Sequence, residues 1–230
     1  MSFQRTLLQI RKALASRAGI AGPSGDTSSI DLTAAVLNDF VNDALTETYD
    51  ILVGRWADYY TKRGASQTLA AGVDTYTLPT DFYKLRKVEL SIGGRWARLL
   101  PMDLDASHLY TEAGRPYRYR MQDRALVFST PASTAETFRL FYIPIRAELV
   151  TDQDVVTFDV PNELKLLLAI AWRECLDRQE LDPSPSLQKI DALTKTLRTA
   201  ADSRDASEPF YLDPKGPPTD FDEDLDGWGW

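Results

Sequence analysis

The apolar positions change period twice along the chain, from helical spacing to alternation near Gln67 and back to helical spacing at Pro161. Phe3, Leu7, Ile10 and Leu14 recur at spacings of four, three and four, which predicts a one-sided helix over residues 3–18. GIAGPSGDTSS (19–29) breaks that stripe with glycines and a proline and reads as a flexible linker. The helix before it is then either an arm that docks on a partner or a disordered end. A second helix follows, capped by Ser29 or Asp31. Val36, Leu37, Phe40, Val41, Ala44, Leu45, Ile51 and Leu52 give it a broad apolar face to about Tyr60. At roughly 30 residues it would span ~45 Å. Lys62, Arg63 and Gly64 suit its C-terminal end.

Alternation then takes over. DTYTL (74–78) leads into a run in which Val88, Leu90 and Ile92 share one face, and Gly93-Gly94 joins that run to RWARLL as a hairpin. YRYRM (117–121) and ALVF (125–128) form a second pair about Gln122-Asp123-Arg124. TFRLFYIPI (137–145) is a long strand and VVTFDV (155–160) a short one. Proline at position 161 opens an apolar helix with Leu164, Leu167, Leu168, Ala171, Trp172 and Cys175, running to about Glu180. A last helix, from about Ser186 to Arg204, carries Leu187, Ile190, Leu193, Thr194 and Leu197. The expected fold is α+β, a helical bundle formed by N- and C-terminal segments with an inserted antiparallel β module. The segments are a basic arm and linker (1–30), a bundle (31–66 with 161–204), a β module (67–160) and an acidic aromatic tail (205–230).

Charge sharpens the picture of the two ends. Arg5, Arg11, Lys12 and Arg17 lie in the first 20 residues without an acid, whereas residues 205–230 hold eight acids against Lys215 alone. That tail carries a net −7 of the chain's −8, so the body is close to neutral and lacks the basic excess of a protein that grips a phosphate backbone. Prolines and like charges argue that the tail has no fold of its own. Its five aromatics, Phe210, Tyr211, Phe221, Trp228 and Trp230, are the anchors of an interface and mark the candidate partner-binding residues. No apolar run approaches the ~20 residues of a membrane span, and no secretory signal is expected.

The residue inventory excludes most catalytic chemistry. His108 is the only histidine and Cys175 the only cysteine, which leaves no cysteine metal cage and no histidine-paired nucleophile. Cys175 reads as a small buried hydrophobe. Glu47 with Asp50, and Asp103 with Asp105, read as solvated carboxylates rather than a glycosidase pair. GRPYRYRMQDR (114–124) mixes arginine with tyrosine as nucleic-acid surfaces do. The reading preferred here is a two-sided strand with Tyr117, Tyr119 and Met121 inward and Arg118 and Arg120 outward. Neither a phosphate loop nor a dinucleotide fingerprint is present. No enzyme activity, cofactor or metal is expected.

Several stretches together resemble the head-to-tail adaptor (connector) proteins of tailed bacteriophages. They are DLTAAVLNDFVNDALTETYDILVGRWADYY, TYTLPTDFYKLRKVEL, GGRWARLLPMDL, FRLFYIPIRAEL, PNELKLLLAIAWREC and SRDASEP, within residues 31 to 209. The resemblance implies a structural virion subunit in the neck, assembled in the host cytoplasm. Its copies would form a ring, typically of twelve, that docks on the portal protein and meets a downstream tail or nozzle protein. The ring would extend the DNA channel without sequence-specific contact, and no catalytic residue transfers. On this reading the tail aromatics meet the portal, or another neighbouring subunit. Two other classes compete: another neck or tail-tube protein, or a ligand-binding protein that uses the β module. An exposed Trp96 would favour the latter, and a Trp96 packed in the hairpin core would count against it.

Overall fold

A computed structural model describes residues 3–20, 32–104, 113–159 and 161–204. Its first element corrects the expected first helix. Phe3–Thr6 is a strand, β1, and only Leu7–Arg17 is helical, as α1. The break is set by Thr6, whose hydroxyl accepts from the Gln9 amide while the Gln9 side chain accepts from the Thr6 amide, a reciprocal N-terminal cap. Upstream, Phe3 gains more from stacking on Phe158, at 5.3 Å between ring centroids, than from continuing the helical stripe. Leu7, Ile10 and Leu14 are fully buried, and α1 packs on the two helices that follow it in the core. Of the two fates open to the segment, it docks, and its partner is its own chain. Residues 21–31, which hold most of the expected linker and both expected caps, lie outside the described residues.

Helix α2 (Ala34–Val53) starts at Thr33, whose side chain accepts from the Val36 amide. Its 20 residues make it about 30 Å long, shorter than the sequence reading. Gly54 caps it, and the chain turns so that Trp56 swings back into the core and is buried. The apolar pattern past Gly54 thus belongs to a turn, and Lys62–Arg63 forms strand β2 rather than a helix end.

The β region builds two larger sheets. Strands β3 (Gln67–Thr68), β5 (Phe82–Ile92), β6 (Arg95–Arg98) and β10 (Thr137–Pro144) join β2 in a five-stranded sheet, with β10 pairing β2, β3 and β5. Strands β4 (Thr75–Thr77), β9 (Ala125–Phe128), β8 (Arg118–Gln122) and β7 (Leu100–Pro101) form a four-stranded one, in that spatial order. Pairing is antiparallel except that β7 runs parallel to β8. The sheets share a core in which Val88, Leu90, Phe138 and Leu140 meet Leu126 and Phe128, and Tyr76 packs edge-on to Phe138 and Phe128. Gly93 and Gly94 both take positive φ at the β5–β6 hairpin, as the sequence requires.

The expected bundle with an inserted β module is overturned. The described residues hold eleven strands in three sheets against four helices, a more β-rich fold. The third sheet carries the correction: β11 (Val155–Phe158) pairs with β1, so strand structure reaches into the N-terminal segment. Hydrophobicity explains why. Val156 and Phe158 point one way into the cluster of Leu7, Ile10 and Leu37, and their backbone needs a partner that only β1 supplies there. Helices α3 (Pro161–Arg178) and α4 (Ser184–Arg204) complete that cluster through Leu166, Leu167, Ile170, Cys175 and Leu197. Leu187, assigned to the apolar face of α4, is instead exposed. Among the described residues no helix is long and apolar enough to cross a membrane.

Candidate interaction surface

Two surfaces gather functional groups. The first is a cleft of about 330 Å³ between α2 and the segment that leaves β10, lined by Asn42, Tyr49, Asp50, Tyr83, Ile145 and Arg146 among others. Its walls are pinned by side chains. The Tyr49 phenol donates to the Pro144 carbonyl at 2.9 Å, and Tyr83 donates to Asp50 at 2.8 Å. Asn42 exchanges both amide hydrogen bonds with the backbone of Leu149 at 3.0 Å, standing in for a strand neighbour. Arg146 lies 5.7 Å from the Tyr49 ring centroid. Burial lowers its pKa, opposed by the charge of Tyr60 and Glu163. Asn42, Tyr49, Asp50 and Tyr83 are thus engaged in holding structure.

The second is the outer face of the five-stranded sheet. Register places Ser91 opposite Trp96, Glu89 opposite both Arg98 and Arg139, and Phe141 opposite both Lys87 and Arg63. The Arg139 guanidinium sits 3.9 Å from the Trp96 ring centroid, and Lys87 lies 4.2 Å from that of Phe141. Between them Glu89 accepts from Lys87 at 2.8 Å and from Arg139 at 2.7 Å. Burial opposes ionisation of Glu89, and the hydrogen bonds from Lys87 and Arg139 outweigh it, so its carboxyl titrates below the ordinary range. Four cations against one acid leave this face positive. It alternates aromatic and cationic groups at cross-strand distance.

The sequence-derived candidates distribute unevenly. Phe210, Tyr211, Phe221, Trp228 and Trp230 lie outside the described residues, as do His108 and Asp105. Trp96 is 39% exposed on the sheet's outer face, not in the hairpin core. Glu47 pairs with Arg173 at 3.0 Å while Asp50 accepts from Tyr83, so each carboxylate serves a different neighbour. Cys175 is fully buried, and its thiol is pushed up to about 12 by burial. Among the described residues no group of three or more His, Cys, Asp or Glu is placed to hold a metal ion. The inward set on 117–121 is corrected at two positions. Tyr119 packs on the core, but Tyr117, ahead of β8, and Met121, near its end, are exposed. Arg118 and Arg120 are half-buried rather than outward. Lys87, Arg139 and Phe141 were not singled out from sequence. Their alternation with Val88, Leu140 and Tyr142 was the available signal.

A search of curated proteins returns no match to the chain. The family model described as SU10 adaptor protein matches residues 5–213, from β1 past the end of α4. That span includes the two larger sheets, most of the β1–β11 pair and the cationic sheet face. A match across so much of one chain settles kinship, and it is consistent with a phage head-to-tail adaptor: the chain belongs to the SU10 adaptor protein family.

Proposed function

We propose that copies of this chain close into a ring that docks on the portal protein and carries the DNA channel toward the tail. The family match over residues 5–213 carries the reading. A dodecamer assembled in the host cytoplasm is the expected form, with a downstream tail or nozzle protein on its far side. The channel wall is neutral to acidic, because phosphate-neutralising cations would hold passing DNA by counterion release. Outside residues 205–230 the chain nets only −1, which supports such a lining. The tail aromatics Phe210, Tyr211, Phe221, Trp228 and Trp230 are anchors on the portal or a neighbouring subunit, and the chain performs no catalysis.

A second reading rests on Trp96. An aromatic ring on an exposed sheet face suits a ligand-binding module, and its exposure favours that use. The ring is covered by the chain's own Arg139, which suits a peptide carboxylate better than a sugar stacked on indole. Particle composition tests the main reading. Purified particles should contain the chain, and particles made without it should lack attached tails. Tailed particles of normal infectivity without the chain would refute it.

A further inference from the structure

Among the described residues the outer face of the five-stranded sheet is a strongly patterned surface to which the proposed ring assigns no partner. Its cations are Arg63, Lys87, Arg98 and Arg139, and its rings are Trp96 and Phe141. Only Glu89 opposes them, and it is already held by Lys87 and Arg139. Arg63 and Arg98 are exposed at opposite sides of the same face. A surface of this kind takes an anion that also brings apolar groups.

The chain itself carries a matching segment. Residues 205–230 follow directly on α4 and hold eight acids, five aromatics and one lysine. Fully extended, these 26 residues reach at most about 90 Å, enough to leave their own subunit for the next. We propose that the cationic aromatic face of each copy receives the acidic segment 205–230 of a neighbouring copy. Asp220, Asp222, Glu223 and Asp224 meet Arg63, Arg98 and the free edges of Lys87 and Arg139, while tail aromatics extend the Trp96–Phe141 strip. The inference rests on the reading of the tail as an anchor and names the surface that takes it.

Nucleic acid fits the face less well. Stacking of bases needs open rings, and here Arg139 and Lys87 lie over Trp96 and Phe141. Glu89 at the centre also opposes a polyanion of high charge density. The segment 220–226 brings Phe221 and Leu225 among its acids, an apolar contact with the strip that a phosphate backbone cannot make.

Zero-length carbodiimide coupling tests the proposal, since Lys87 supplies an amine to any carboxylate held against the face. Full-length chains, one pool labelled with heavy nitrogen, are mixed, assembled with the portal and coupled. The expected result is an amide between Lys87 and a residue among 220–226, in pairs of mixed isotope. It should fall at least tenfold when Arg63→Glu and Arg98→Glu are introduced together, two exposed positions that leave the core untouched. Lys87→Arg should abolish the product while assembly persists. Products only within one isotope pool, products only with portal carboxylates, or saturable displacement by a duplex oligonucleotide would each overturn it. The two readings fail separately. A ring on the portal without the Lys87 product removes this inference alone, and the product between copies without portal docking removes the ring-on-portal reading alone.

Discussion

Arg11 of α1 donates two hydrogen bonds to the carboxylate of Asp152, at 2.8 and 3.2 Å, across 141 residues of sequence. The guanidinium is nearly buried and also reaches Asn38 of α2 at 3.2 Å. On the same side the carbonyls of Asp154 and Asp152 accept from Leu7 and Leu8, meeting first-turn amides that α1 cannot satisfy itself. The N-terminal helix is therefore held by the segment just before β11. Replacing Asp152 by Ala strands a buried cation and should cost about 1.5–3 kcal/mol of stability. Removing Asp191, which pairs with Lys195 on exposed α4, should cost under about 0.5 kcal/mol. Urea unfolding of both variants checks the contrast, and equal losses would contradict it.

The β8–β9 hairpin turns through Asp123 and Arg124, at φ of 52° and 60°. Aspartate tolerates that region, but arginine does not, and the cost for such an L side chain is about 1–2 kcal/mol. Arg124→Gly should therefore stabilise by about 1 kcal/mol, read as a rise of roughly 2–4 °C in thermal midpoint for a chain of this size. At the β5–β6 hairpin the sequence already supplies glycine, and Gly94→Ala should shift the midpoint by a similar amount downward.

Acid should weaken the sheet through Glu89. Its folded pKa lies below the ordinary value of 4.5, so its contribution is complete above that value and is lost as pH falls through the folded pKa. Wild-type stability should thus drop more steeply below about pH 4.5 than that of Glu89→Gln, the variant being weaker at neutral pH. Thermal melts across that range would show parallel curves if Glu89 were not ionised and paired.

Cys175 should resist aromatic disulfide reagents at pH 8 in the folded chain. It is fully buried, and burial pushes the thiol up to about 12. Labelling should follow the unfolding rate, and rapid stoichiometric reaction under native conditions would contradict the packing.

What the sequence revealed depended on whether the signal was local. The Gly93-Gly94 turn, the alternation of Val88 and Leu90, and the Leu7–Ile10–Leu14 stripe are periodic features, and each lies where its period puts it. The β1–β11 pairing was illegible because Phe3 fits a helical stripe as well as a strand, and only Phe158, far along the chain, decides between them. The early end of α2 was hidden by Trp56 and Tyr60, whose apolarity continues the pattern past a glycine that stops the helix. Both errors lengthened an expected helix, while the number of helices is as expected. The cationic sheet face was half visible. Alternation in FRLFYIPI sends Arg139 and Phe141 outward, but their placement beside Trp96 and Lys87 depends on register across three strands.

The mass of the purified chain, measured alone and after mixing with the portal, tests the central claim most directly. The account predicts a portal complex heavier by a whole ring of 25.9 kDa copies, with no stable species of intermediate occupancy. A portal mass unchanged by a large excess of the chain would contradict it.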